Sequence, residues 1–347
     1  MPASDARVED SLAAAEDAGL YSMTDDCPGI SRRRRGRGWS YSGTRGATVD
    51  DDERARITAL VIPPAWTDVC ISPVPDGHIQ AVGLDAKGRK QYRYHDRWRE
   101  VRDSTKFHRL SDFGAALPAL RNRLDEDLGR RGLPLNKVLA TVVRLLDESL
   151  IRIGNEEYAE ENESFGLTTL QDEHADVGRE KVVFEFRGKS GQGQEVVLQD
   201  RQLARIVKAC QDLPGEDLFQ FLDDTGQVAD VTSTHVNEYL RALTGATFTA
   251  KDIRTWGGTV TAAAHLVELG PADTEAATKK NVLAAIDAAA EKLGNTRSVA
   301  RSSYVHPRIT DAYEDGRLFV CWKKARSSNR FSRSEGAVLD VLRERAA

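Results

Sequence analysis

The stretch Leu133 to Gly154, LPLNKVLATVVRLLDESLIRIG, decides the fold of the larger part of this chain. Its apolar residues recur at three- and four-residue spacing behind Pro134, a residue suited to opening a helix, so the stretch reads as an amphipathic helix with one stripe in a core. Working outward, the segments around HVNEYLRAL (235–243), KDIRTWGGTVTAAAHLVEL (251–269), TEAATKKNVLAAIDAAAEKLG (274–294) and GAVLDVLRERA (336–346) fit helices too, and the texture is helical from Lys106 onward. One interruption stands out. Lys181 to Asp200, KVVFEFRGKSGQGQEVVLQD, is two alternating or β-branched runs around a Gly-rich turn, the signature of a hairpin.

Before Lys106 the pattern differs. GISRRRRGRGWSYS (29–42) is rich in Arg, Gly and aromatics without a helical period, and DVCISP (68–73) followed by HIQAVGLDAKGRKQYRYHD (78–96) reads as strands joined by a Gly-containing turn. The run Asp50, Asp51, Asp52, Glu53 has no spacing suited to a cation cage and is better placed to open a helix. The expected fold class is α+β. An acidic N-terminal tail over 1–28, helical and frayed or disordered, precedes a β-rich lobe over 29–105 and a mainly α domain over 106–347 that carries the hairpin.

At 347 residues the chain can bury two cores. No window holds 18 consecutive apolar residues, and the acidic start MPASDARVEDSLAAAED lacks the features of a signal peptide, so the expected location is the cytoplasm, without a membrane partner. Cys27, Cys70, Cys210 and Cys321 form no CxxC pair and are expected to be reduced thiols. A net charge of −5 argues at first against a nucleic-acid partner. Its distribution argues the other way. Residues 1 to 30 hold seven acids and one Arg, whereas residues 31 to 110 hold 17 Lys and Arg against 10 acids, so an acidic tail precedes a basic module able to meet a polyanion. A solvated charged surface is the competing explanation.

Several motifs fail on inspection. The GKS at Gly188 to Ser190 has Val183 where a phosphate-binding loop needs Gly, so no nucleotide cofactor is expected. His78, His95, His108, His174, His235, His265 and His306 form no close ligand pair, so no metal is expected either. What remains is a series of polar residues ending in a late tyrosine: Arg152 in IRIGNEEYAEENESFGLTTL (151–170), Lys189 in the hairpin turn, Arg254 in KDIRTWGGT (251–259), and Asn295 and Tyr304 in LGNTRSVARSSY (293–304).

These blocks, in this order, resemble the poxvirus-like type IB DNA topoisomerases, specifically their bacterial branch, from about Gly29 to about Ala325. The resemblance implies a catalytic domain of the type IB topoisomerase and tyrosine recombinase kind, behind a β-rich DNA-clamping domain over 29–105. It implies relaxation of supercoiled duplex DNA by a nucleoid-associated monomer, through transient single-strand cleavage and a 3′-phosphotyrosyl intermediate, without ATP, metal or another cofactor. Tyr304 would be the nucleophile, Arg152 and Arg254 would stabilise charge on the phosphate, and Lys189 would be the general acid. At Asn295 the viral enzymes carry His. An amide still donates a hydrogen bond but moves no proton near neutral pH, so Asn295 is left with orientation and partial charge stabilisation. By the same resemblance Lys90, Gln91, Tyr92 and Tyr94 lie against DNA, together with Arg32, Arg33, Arg34 and Arg35.

The chemistry is self-consistent. A phenol is a competent nucleophile toward a phosphodiester, and its ester conserves the energy of the broken bond. Each residue alone has an ordinary explanation as well: packing for Tyr304, a solvated turn for Lys189, ion pairs for Arg152 and Arg254, and an N-cap of the helix carrying Tyr304 for Asn295. Asn295 and Tyr304 are nine residues apart, which on one continuous helix would put them on opposite sides, so the chain is expected to bend near Asn295 to Ser298. Two other readings remain open. A tyrosine recombinase would usually carry His where Lys251 stands, and a DNA-binding protein without catalysis would need only the basic lobe.

Overall fold

The computed structural model describes residues 19–21, 29–36, 38–98, 107, 109–156, 159, 162–328 and 330–344. The acidic tail, apart from residues 19–21, lies outside the described residues. The chain has an α+β fold in two compact units, Met1–His108 and Arg109–Ala347.

In the first unit β1 (Ile30–Arg35), β2 (Gly38–Ser42), β3 (Thr67–Ile71), β4 (Ile79–Leu84) and β5 (Lys90–Tyr94) form an antiparallel sheet in the order β2-β1-β3-β4-β5. The acidic run opens α1 (Asp51–Ala59), as expected. The Asp50 carboxylate accepts from the Glu53 N–H at 2.8 Å, and three acids occupy the first turn, where the helix dipole favours them. Ile57 of α1 packs on Ile30, Val69, Ile71 and Ala81, so α1 covers one face of the sheet. Tyr21, within the segment expected to be tail, bridges Gly77 beside β4.

The two-residue period of a strand sorts the DNA-contact candidates onto opposite faces. Arg32 shares the covered face with Ile30. It is buried, its guanidinium donates to the carbonyls of Ile62 (3.2 Å), Pro63 (3.0 Å) and Trp66 (2.8 Å), and it stacks 4.1 Å from the Trp39 ring. The expectation that Arg32 touches DNA is therefore corrected, because its donors are used inside the unit. Gln91 falls on the same side and donates to Asp85 at 2.9 Å. Arg34 shares this side but remains exposed at the strand end. The opposite face carries Arg33, paired with Ser40, and Arg35, paired with Gly38, and continues through Val82 to Tyr92. Lys90 and Tyr94 flank Tyr92 on that face, with the Tyr92 and Tyr94 rings stacked at 5.9 Å. None of these residues is buried.

The second unit is mainly helical. α2 (Leu110–Leu128) and α3 (Leu135–Ser149) precede the sheet β6-β7-β8 (Ala175–Val177, Val182–Arg187, Gly193–Leu198), whose β7-β8 pair is the predicted hairpin. After α4 (Arg201–Gln211) comes a small pair not anticipated from sequence, β9 (Gln220–Leu222) with β10 (Val228–Asp230). It closes where Asp223 accepts from the N–H groups of Thr225 and Gln227. Then follow α5 (Ser233–Thr244), α6 (Ala250–Leu269), α7 (Glu275–Leu293), α8 (Arg297–Ser303), α9 (Pro307–Glu314), α10 (Arg317–Lys324) and α11 (Arg333–Arg343). Among the described residues no helix is long and apolar enough to cross a membrane.

The centre of the core is α3, with Val138, Val142, Val143, Leu145 and Leu146 fully buried. A half-buried ionic cluster fastens three helices around it. Arg121 of α2 pairs with Asp147 of α3 at 2.8 Å and with Glu335 of α11 at 2.7 Å, while Glu335 also accepts from the Trp256 indole of α6 at 3.2 Å. The C-terminal helix thus braces the back of α6.

Candidate active site

The helix expected to run through Gly154 stops at Ser149. Leu150 adopts left-handed backbone (φ 58), its N–H donating to Leu146 at 2.9 Å, a conformation that costs a non-glycine residue about 1 kcal/mol. The turn aims the Leu150 carbonyl at Arg254 of α6 and leaves Arg152 in a segment outside any helix or strand. Gly257 makes this possible, since a Cβ there would lie 2.4 Å from the Leu150 side chain.

Arg254 sits on α6, which begins with Thr249 and Asp252 bonded to each other, the Thr249 N–H donating to Asp252 at 2.8 Å. At 3% exposure its guanidinium is almost wholly enclosed. It donates to the carbonyls of Leu150 and Leu293, the latter at 2.9 Å, and so ties together the C-terminal ends of α3 and α7. A cation suits these ends because both helix dipoles point their negative poles at it. Burial nevertheless pushes the Arg254 pKa down to about 10, with Tyr304 opposing the shift and Arg152 adding to it. Its Nε is buried with no partner.

Arg152 is half-buried, and burial lowers its pKa too. It donates to the Gly294 carbonyl at 3.0 Å and to the Asn295 side-chain oxygen. That bond holds the Asn295 amide with its nitrogen buried and without a partner. The helix-capping explanation for Asn295 is set aside, because the N-cap of α8 is Thr296, whose hydroxyl accepts from Val299. The chain bends as expected but slightly earlier, at Gly294 to Thr296, where Gly294 is left-handed (φ 58) and α7 hands over to α8.

Tyr304 follows the last residue of α8, its ring centroid 5.2 Å from the Arg254 guanidinium carbon. Lys189 lies in the β7-β8 turn. Arg152, Lys189, Arg254 and Tyr304, drawn from four separate segments, line one open cleft of about 340 Å³, which Lys251 also lines one helical turn before Arg254. Asn295 is held at its side by Arg152. The site has two buried donor atoms without partners, and among the described residues both guanidiniums donate to carbonyls and an amide rather than to a carboxylate.

Sequence reasoning missed Gly258 and Thr259. Both touch the Tyr304 backbone, and the only signal for them was their place directly after Arg254 in RTWGGT.

A helical unit whose cations converge on a tyrosine beside unpartnered donors defines a site for an anionic group. Comparison with known proteins makes the class definite. The family described as eukaryotic DNA topoisomerase I, catalytic core, matches residues 95–326, and the bacterial DNA topoisomerase IB N-terminal domain matches residues 38–85. DNA topoisomerase 1B of Acanthamoeba polyphaga mimivirus is 30% identical over 305 residues, covering 84% of this chain and 89% of the viral one. That of Vaccinia virus (strain Copenhagen) is 25% identical over 244 residues, 67% of this chain and 72% of its own. The chain belongs to the type IB DNA topoisomerase family.

Proposed function

We propose that this protein relaxes supercoiled duplex DNA by cutting one strand with Tyr304, letting the strands rotate, and resealing the cut, without ATP or a metal. The observation that carries the reading is the convergence of Arg152, Lys189, Arg254 and Tyr304 on one cleft.

In the cleavage step the Tyr304 oxygen attacks the scissile phosphorus and gives up its phenolic proton to solvent water, from which Lys189 regains the proton it donates. The bond from phosphorus to the 5′-oxygen breaks, leaving the 3′-phosphate esterified to Tyr304. Negative charge grows on the non-bridging oxygens as the phosphorus becomes five-coordinate. Arg152, Arg254 and the Asn295 amide nitrogen meet it, and the partnerless Arg254 Nε and Asn295 Nδ2 are donors suited to that task. Two guanidiniums fixed by backbone carbonyls supply charge stabilisation that a metal provides in other enzymes. The 5′-oxygen leaves with a proton from Lys189. Resealing is the reverse, and because the tyrosyl ester conserves the phosphodiester energy no nucleotide is consumed.

Residues 29–105 serve in this reading as the DNA-clamping domain and 106–347 as the catalytic domain, with 1–28 as an acidic tail. The face carrying Arg33, Arg35, Lys90, Tyr92 and Tyr94 is the one we assign to DNA, as it combines cations for phosphates with aromatic groups for the groove. Arg34, exposed at the strand end, reaches phosphates from its margin. The enzyme acts as a monomer on duplex DNA in the cytoplasm, at the nucleoid.

Supercoiled plasmid incubated with the protein in EDTA without ATP is expected to relax, and Tyr304→Phe to lose both relaxation and the covalent adduct while still binding DNA. A wild-type protein that fails to relax plasmid at any salt would overturn this function. For Lys189 the test is the leaving group. Sulfur in place of the bridging 5′-oxygen departs as a thiolate with a reference pKa of about 8.5 and needs no proton, so Lys189→Ala should cleave that substrate almost normally although it is slower by roughly a hundred- to ten-thousandfold on the natural one. Arg254→Ala should gain nothing from sulfur. Equal rescue of both variants would remove Lys189 from the acid role.

A further inference from the structure

Tyr304 stands in a short link between two helices, and its placement depends on a neighbour that takes no part in the cleavage chemistry. Its N–H closes the last turn of α8 by donating to Ala300 at 2.9 Å. Beyond it α9 starts afresh at His306, whose ring nitrogen accepts from the Arg308 N–H at 3.1 Å. Neither helix therefore holds the Tyr304 carbonyl or the His306 N–H. Both are taken by one hydroxyl: Thr259 of α6 donates to the Tyr304 carbonyl at 3.1 Å and accepts from the His306 N–H at 3.2 Å. Thr259 is fully buried and Val305, between the two bonded residues, is buried as well.

The residue before Thr259 makes the approach possible. A Cβ on Gly258 would lie 2.9 Å from the Leu293 side chain, 3.0 Å from the Tyr304 carbonyl oxygen and 3.3 Å from the Tyr304 Cβ, so the Tyr304 link would have to give by a few tenths of an ångström. Arg254, whose guanidinium lies beside the Tyr304 ring, sits five residues before Thr259 on the same helix. One helix thus sets both the cation and the backbone of the tyrosine, and the spacing between them is fixed by helical geometry rather than by the mobility of a link.

We propose that Thr259 is a positioning residue for the nucleophile: its single hydroxyl, admitted by Gly258, pins the Tyr304 to His306 link to α6 so that the phenol is registered against Arg254. The proposal rests on Tyr304 being the nucleophile. Thr259 touches neither DNA nor the phosphate in this scheme and acts only through Tyr304.

The experiment measures single-turnover cleavage and religation, with protein in excess over DNA, for Thr259→Val, Thr259→Ala and Thr259→Ser. Val keeps the shape and removes both hydrogen bonds. Cleavage by Thr259→Val and Thr259→Ala should slow by roughly ten- to a hundredfold, the effect of misplacing a reacting group by about an ångström. Religation should slow by the same factor, because position alters the transition state shared by both directions and leaves the equilibrium between free and covalent DNA unchanged. Thr259→Ser should recover most of the missing rate, and affinity measured in a Tyr304→Phe background should not move. A sulfur leaving group should not rescue Thr259→Val, since the defect lies on the nucleophile's side.

The proposal is overturned if Thr259→Val and Thr259→Ala cleave at the wild-type rate constant with only a lower melting temperature, if Ser is as slow as Val, or if sulfur restores the Val variant. Should the Val variant fold poorly, the Ala variant decides on the same readouts, as rate constants under protein excess do not depend on the folded fraction. Adduct formation by Tyr304→Phe would instead overturn the nucleophile reading itself, a result distinct from a normal rate in the Thr259 variants.

Discussion

Arg254 is a buried cation donating to two backbone carbonyls, and in the proposed mechanism it meets the phosphate; replacing it by Met measures both its cost to the fold and its worth to cleavage. Burial pushes its pKa down from the ordinary guanidinium value to about 10, and at about 1.4 kcal/mol per unit this costs the fold about 3 kcal/mol for keeping the charge there. The sign follows from proton binding. Between these two values the unfolded chain binds more protons, so stability from this group rises with pH in that window, and the full cost is present at neutrality. Met has a similar reach and no charge, so Arg254→Met removes the cost. It also strands the carbonyls of Leu150 and Leu293, at about 1 to 3 kcal/mol each. The net change should lie within about 3 kcal/mol of zero, which in a unit of this size means a melting shift under about 10 °C. Cleavage should meanwhile fall by about a hundredfold or more, as expected on losing a preorganised donor to a developing oxyanion. Calorimetry and single-turnover cleavage on one preparation test the pair of outcomes. Cleavage within about fivefold of wild type would refute the catalytic assignment. A loss of more than about 5 kcal/mol would refute the argument that its buried charge is costly, and show that Arg254 is chiefly a structural tie.

Gly258→Ala should slow cleavage by roughly tenfold or more, read by single-turnover assay, with a stability change kept small because the helical gain of about 1 kcal/mol offsets the steric cost. Neutralising Arg33, Arg35 and Lys90 should lower the slope of log affinity against log salt by about one for each phosphate left without its cation. Arg32→Ala should leave that slope unchanged and lower the melting temperature by stranding three carbonyls. Asn295→Asp should slow cleavage more than Asn295→Ala, because it replaces a donor aimed at the phosphate by a negative charge. Equal rates for the two would mean that the amide nitrogen does not face that anion.

The α+β class was legible in sequence because hydrophobic period is a local property: α3 and the β7-β8 hairpin could be read from their own residues, and Asp50 to Glu53 announced α1 through the dipole at a helix start. The candidate site was legible only as an order of residues within long, unusual blocks. Nothing local to Arg152, Lys189, Arg254 or Tyr304 says that they meet. That meeting is a tertiary fact, made by the left-handed turn at Leu150, by the carbonyl ends of α3 and α7 converging on Arg254, by Gly257 leaving room for the Leu150 side chain and by Gly258 letting the Tyr304 backbone approach α6. The same distinction explains Arg32. Four consecutive arginines look alike in sequence, yet strand alternation and the covering helix turn one inward to three carbonyls and leave its neighbours outside. Sequence by itself determined the residue types, their order and most of the elements, but not the end of α3 that leaves Arg152 outside a helix. Which donors remain unpartnered was decided only by the packed fold, since a hydrogen bond depends on distances between residues that the chain keeps more than a hundred positions apart.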